Sequence, residues 1–100
     1  MTNPIIVKID KDLEDLIPTY LQRRSEEIEK IHEAINGNDF NSLKVIGHKL
    51  SGNAGGYGFD DLGVYGASIE HAAEKENMDT IKENFEKIKD YLNRIQVTYV

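Results

Sequence analysis

The residues best equipped for chemistry gather in one stretch, Ile46 to Phe59, which reads IGHKLSGNAGGYGF. It sets one histidine, His48, among five glycines, with Lys44, Lys49 and Ser51 nearby. An imidazole in its neutral form is a good nucleophile. Nucleophilic catalysis on a bound substrate needs an acid/base partner and an oxyanion site in a cleft, and one helix face offers no cleft. It does offer a phosphoryl acceptor. A ring nitrogen can take a phosphoryl group from a partner's acyl phosphate when the partner brings the metal and the positioning. Cations and hydroxyl donors then hold the phosphate oxygens. Lys44 and Ser51, one turn either side of His48, fit that role.

The elements around His48 must present it outward. At roughly 100° per residue, Leu43, Gly47, Leu50 and Ala54 fall on one face, the core face of an amphipathic helix. His48 lies roughly 130° from the centre of that face and is predicted to meet solvent, with Asn41, Lys44, Ser51, Gly52 and Gly55 around it. Lys49 is about 100° further round and reaches this patch only with a bent side chain. Gly in a helix interior costs about 0.5–1 kcal/mol relative to Ala. Gly47, facing in, permits a close helix approach. Gly52, Gly55 and Gly56, facing out, leave bare backbone on which a partner can come close to the imidazole, and Gly58 marks the helix break.

The rest of the chain is also patterned as helices. Asp10 is a candidate cap for a short helix from Lys11 to about Leu16. Pro18 opens a second helix with Leu21, Arg24, Ile28, Ile31 and Ile35 inward, which "NGND" at Asn36 to Asp39 stops. Asp39 caps the His48 helix. Phe59, Leu62, Gly66, Ile69 and Ala73 line the next. Asn77 caps the last, which carries Met78, Ile81, Phe85, Ile88, Leu92, Ile95 and Tyr99 in heptad spacing. The reading is all-α: an antiparallel up-down four-helix bundle with a short extra N-terminal helix. It forms a single domain over 1–100, helical over 11–100. Ile5, Val7 and Ile9 alternate, as do Ile95, Val97 and Tyr99, so residues 1–10 are expected as an extended arm lying near the C-terminus.

With the stretch GHKLSGNAGGYGF on its helix, the chain resembles histidine-containing phosphotransfer (HPt) domains. The resemblance extends to LIPTYLQRR at Leu16 to Arg24, to AINGNDF, to LGVYGASIEHAAEKEN and to YLNRIQVTY. It implies that His48 is the phosphoacceptor on a four-helix bundle. Phosphoryl groups would pass to or from an aspartate of a receiver domain, in a response regulator or a hybrid histidine kinase. It also implies that Glu70, matching a polar helper position, steadies the imidazole. One departure stands out. The basic residue usual three positions after the histidine is Ser51 here, so Lys44 and Lys49 are expected to compensate in part. Such a module is not an enzyme and needs no cofactor of its own, Mg2+ being expected in the partner receiver. The rival reading, kept open by Ser51, is an adaptor that binds a receiver or kinase domain without carrying phosphate.

Composition narrows the remaining classes. The chain has 100 residues, no Cys and a net charge of −6. That excludes disulfides and thiolate metal sites and argues against nucleic-acid binding, while leaving room for a local basic patch. The longest apolar run, Ile5-Ile6-Val7, is too short for a membrane span or a secretory leader. The expected compartment is the cytoplasm and the expected state a monomer. Because the termini carry no linker-like tail, a free-standing protein is expected. His71, Glu70 and Glu74 share helical spacing, but exposed Glu and His are common and no metal site is expected. His32 and His71 read as ordinary surface or boundary residues. Arg24 should pack its stem inward and turn its head to solvent or to an acid such as Glu27 or Glu70. Tyr57 and Tyr65 are expected in turn and bundle packing.

Overall fold

Helix boundaries in this chain are set by capping side chains and by backbone that few residues adopt. The computed structural model describes residues 3–100 and contains four α-helices: α1 (Ile17–Asn36), α2 (Phe40–Asn53), α3 (Asp60–Glu74) and α4 (Met78–Arg94). Pro18 stands in the first turn of α1, where a missing amide hydrogen removes no helical bond. The Asp39 carboxylate caps α2. It accepts from the Ser42 amide at 3.1 Å and from the Ser42 hydroxyl at 2.7 Å, and these bonds hold its pKa below the usual value. Between α2 and α3 a 3-10 turn, Gly55–Tyr57, leads into Gly58. Gly58 has φ 94°, a left-handed conformation that costs glycine little. Asn77 caps α4 by accepting from the Thr80 amide at 3.2 Å.

The ends of the chain form a sheet. Strand β1 (Ile5–Ile9) runs parallel to strand β2 (Ile95–Tyr99), with Ile5 opposite Ile95 and Ile9 opposite Tyr99. Parallel strands need a long crossover, and all four helices supply it. The extended arm expected over 1–10 is thus a strand from Ile5 to Ile9, its first two residues lying outside those described.

Two expectations need correction. The heptad spacing predicts helix through Ile95 and Tyr99, and so over 11–100, but α4 ends at Arg94 and the backbone turns extended at Ile95. Residues 95–99 also alternate, and their β-branched and aromatic side chains suit a strand once β1 is available as a partner. The short helix expected from Lys11 to about Leu16 is only a 3-10 turn, Lys11–Leu13, capped by Asp10.

Helices adjacent in sequence pack together, and α1 also meets α4. The core takes Leu43 and Leu50 from α2 and Ala54 just past its end, Leu62 and Ile69 from α3, and Ile81, Phe85 and Ile88 from α4, together with Val7 and Ile9 of β1. The predicted inner faces of α2 and α3 are thus buried. In α1 the stripe is rotated over its first half. Ile17 and Tyr20 are buried while Leu21, Arg24 and Ile28 are only half-buried. Tyr20 turns in because it stacks on Tyr57 at 4.3 Å and on Phe59 at 5.5 Å between ring centres. Tyr65 packs edge-on to Tyr91.

Candidate functional site

The site begins with two glycines. A Cβ on Gly47 of α2 would lie 2.6 Å from the Gly66 carbonyl oxygen and 2.7 Å from the Glu70 amide nitrogen. A Cβ on Gly66 of α3 would lie 2.5 Å from the Leu50 Cβ. Both separations are shorter than real side chains tolerate, so α2 and α3 can come this close only because both positions lack a Cβ. Their approach brings side chains one step outward on each helix within reach of each other.

The first such pair is His48 and Glu70. His48 Nδ1 is 2.9 Å from Glu70 Oε2. The imidazole is 75% exposed and the Glu70 side chain 23%, so a sheltered carboxylate grips one edge of an otherwise open ring. An ionised carboxylate can only accept, so Nδ1–H donates and the lone pair of the neutral ring sits on Nε2. The ring is thereby fixed in one tautomer and orientation. One turn along, Lys44 Nζ lies 3.9 Å from Glu74 Oε1, with both side chains about half-exposed. The two pairs form successive rungs across the α2–α3 seam.

The other candidate residues are placed as follows. Lys49 is exposed on the α1 side of α2, near enough to Glu27 to act on its titration. Burial pushes the Glu27 carboxyl up, and Arg24, Lys30 and Lys49 oppose that rise. Ser51 is exposed, as are Asn41, Gly52, Gly55 and Gly56. A Cβ on Gly52 or Gly56 would meet nothing within 4 Å, so bare backbone surrounds the outer side of the site. Helix α2 contains Lys44, His48 and Lys49 and no Asp or Glu of its own, while α3 sets Glu70 beside His48 and Glu74 beside Lys44. Among the described residues no group of three or more His, Cys, Asp or Glu is arranged to hold a metal ion. Glu70 and Glu74 are engaged by His48 and Lys44, while His71 is exposed and His32 lies 3.3 Å from Asn36.

Behind the site lies a polar cluster in which the sequence pointed to Glu27 as a partner for Arg24 but not to Asn53. Arg24 Nε approaches Glu27 Oε1 to 2.9 Å, off the hydrogen-bond direction, so the contact is ionic. Asn53 Oδ1, at the end of α2, accepts from the Tyr20 hydroxyl at 2.8 Å and from Arg24 Nη1 at 3.2 Å. Asn53 gave no signal because its partners lie 29 and 33 residues away. Glu74 was visible only as the residue one turn beyond Glu70.

A family model described as Hpt domain matches residues 15–98. The chain belongs to the Hpt domain family. Hpt domains are phosphotransfer modules rather than kinases, act in phosphorelay and two-component signalling, and interact with response-regulator receiver domains. The helical bundle around His48 fits that membership. No curated protein and no solved structure matches this Hpt domain. Among its described residues, no helix is long and apolar enough to cross a membrane.

Proposed function

We propose that this Hpt domain is a phosphorelay intermediate that accepts and donates a phosphoryl group at His48 Nε2, exchanging it with the aspartate of a receiver domain. The observation that carries the reading is the His48–Glu70 hydrogen bond at 2.9 Å on a ring left 75% exposed. The Nε2 lone pair attacks phosphorus, the bond from phosphorus to the aspartyl oxygen breaks, and the carboxylate leaves with the electron pair. Nδ1 keeps its proton throughout. The ring becomes cationic, and the Glu70 carboxylate stabilises that charge where it forms. Donation runs the same steps backwards.

The surroundings support a docked partner rather than a bound small molecule. Bare backbone at Gly52 and Gly56 lets a receiver's active site come close, and Lys44 offers a cation on the His48 face to an acidic one. Magnesium belongs to the receiver in this reading. Lys44 pairs with Glu74 while His48, further along α2, pairs with Glu70, earlier on α3, so α2 and α3 run antiparallel, and the short links between the other helices lead us to take all four as an antiparallel up-down bundle. A cytoplasmic monomer is the form in which it would act.

The test is incubation with a phosphorylated receiver. Base-stable, acid-labile phosphate should appear on the chain and be absent from His48→Gln. Tight receiver binding with no transfer would overturn the relay in favour of the adaptor.

A further inference from the structure

The phosphoryl group on Nε2 needs a cation, and the chain offers a restrained one. Ser51 stands where a basic residue would be fixed beside it. Lys49 lies on the α1 side, within the field of Glu27. Lys44 is the cation on the His48 face, one turn back on α2, and its ammonium is drawn across the seam to Glu74 at 3.9 Å. That separation is too long for a good hydrogen bond, and both partners are about half-exposed. Such pairs are weak and easily broken. A phosphoryl group carries a charge of about −1.5 to −2 near neutral pH, so at equal distance it attracts the ammonium more strongly than one carboxylate does.

We propose that Glu74 is a positioning residue that acts through Lys44, limiting how far the ammonium neutralises the phosphoryl group on His48. Lys44 exchanges partners on phosphorylation, and the competing carboxylate keeps the exchange incomplete. The phosphohistidine therefore stays poised for onward transfer instead of being held as a stable store. A fixed cation at position 51 would neutralise the group constantly; a shared one is tuned by its competitor. The inference rests on the phosphoacceptor reading of His48. The charged groups around that position are Lys44 and Lys49 on α2 and Glu70 and Glu74 on α3, with Arg24, Glu27 and Lys30 of α1 beyond Lys49.

The whole chain, Glu74→Gln, Lys44→Ala and the double variant are loaded with phosphoramidate. Nε2 displaces ammonia from phosphorus, so no partner is required. Two quantities are read: the lifetime of the phosphohistidine, and the pH midpoint of its phosphorus resonance. Glu74→Gln should lengthen the lifetime about two- to fivefold, the range a weak exposed pair can contribute. It should also lower the midpoint, because a freer ammonium favours the dianion. Lys44→Ala should move both quantities the other way, and the double variant should match Lys44→Ala, as a contact acting through one residue requires. Glu74→Asp should restore wild-type values in part. Wild-type values in Glu74→Gln, or an equal effect of that change on the Lys44→Ala background, would overturn the inference alone. Absence of label from His48 in every protein would overturn the phosphoacceptor reading and this inference with it.

Discussion

Replacing Gly47 by Ala should couple a loss of stability to a loss of phosphorylation. The added Cβ would stand 2.6 Å from the Gly66 carbonyl oxygen, where ordinary contact begins at 3.4 Å. Both near atoms are backbone, so no rotamer change relieves the clash, and α3 must retreat by about 0.8 Å. Overpacking of this kind costs about 1–3 kcal/mol, and the helix preference of Ala over Gly returns about 0.5–1 kcal/mol. The net loss should be up to about 2.5 kcal/mol, or up to roughly 20 °C in Tm for a domain of this size.

The same retreat would stretch the His48–Glu70 contact from 2.9 Å to roughly 3.7 Å, beyond a hydrogen bond. A net hydrogen bond is worth about 0.5–1.5 kcal/mol, which in rate is roughly two- to tenfold. Thermal unfolding and phosphoramidate loading of His48 measure the two effects separately. Glu70→Ala should reproduce the slower loading with little change in Tm, since it removes the ring's partner and leaves the seam intact. A Gly47→Ala protein with wild-type Tm and wild-type loading would refute the close-approach account of the site.

Gly52→Ala is the opposite case. With open space around the new methyl, stability should rise by up to about 1 kcal/mol. Phosphoramidate loading should be unchanged, while transfer from a receiver slows because bare backbone has been covered; equal transfer rates would remove the docking role of that position. Tyr91 reports on the core at high pH. Burial first, then Asp61, Tyr65 and Asp60, push its phenol up to about 12, against about 10 in an unfolded chain. A raised folded pKa gives stability that is complete below the unfolded value and lost as pH climbs through the folded one. Urea midpoints should therefore fall between about pH 10 and 12, and Tyr91→Phe should flatten that fall.

How much of this was legible in the sequence depends on the separation of the residues involved. The exposure of His48 and the burial of Leu43, Gly47, Leu50 and Ala54 follow from one local helix period, and the structure places them so. The caps at Asp39 and Asn77 are equally local, each closing on an amide three residues on. What the period could not give is which partners meet across the seam. Glu70 follows from a family resemblance and Glu27 from its local spacing to Arg24, whereas Glu74 and Asn53 find their roles only when the helices are assembled. Strand β2 is ambiguous in the sequence for a physical reason. Ile95, Val97 and Tyr99 alternate, yet Ile95 and Tyr99 also extend the heptad of α4, and either state is consistent until β1 is in place. Tyr20 and Leu21 are adjacent apolar residues, and the stacking on Tyr57 and Phe59 decides which turns inward.

The N-terminal strand bears on the site more than its distance in sequence suggests. It lies outside the matched residues 15–98, yet Val7 and Ile9 are buried in the same core as Leu50 and Phe59. A Cβ on Gly58 would come within 2.5 Å of Ile9 Cδ1, so the strand packs directly under the left-handed residue that closes the turn after α2. That turn carries Gly55 and Gly56, the outer edge of the bare surface beside His48. The register of α2 is therefore held at three points: the Asp39 cap at its start, the Gly47–Gly66 approach at its middle, and Asn53 with the Ile9-backed turn at its end. A residue that must meet a partner's phosphoryl group while 75% exposed cannot be oriented by burial of its own side chain. Its precision has to come from the helix beneath it and from the one carboxylate that reaches its inner nitrogen.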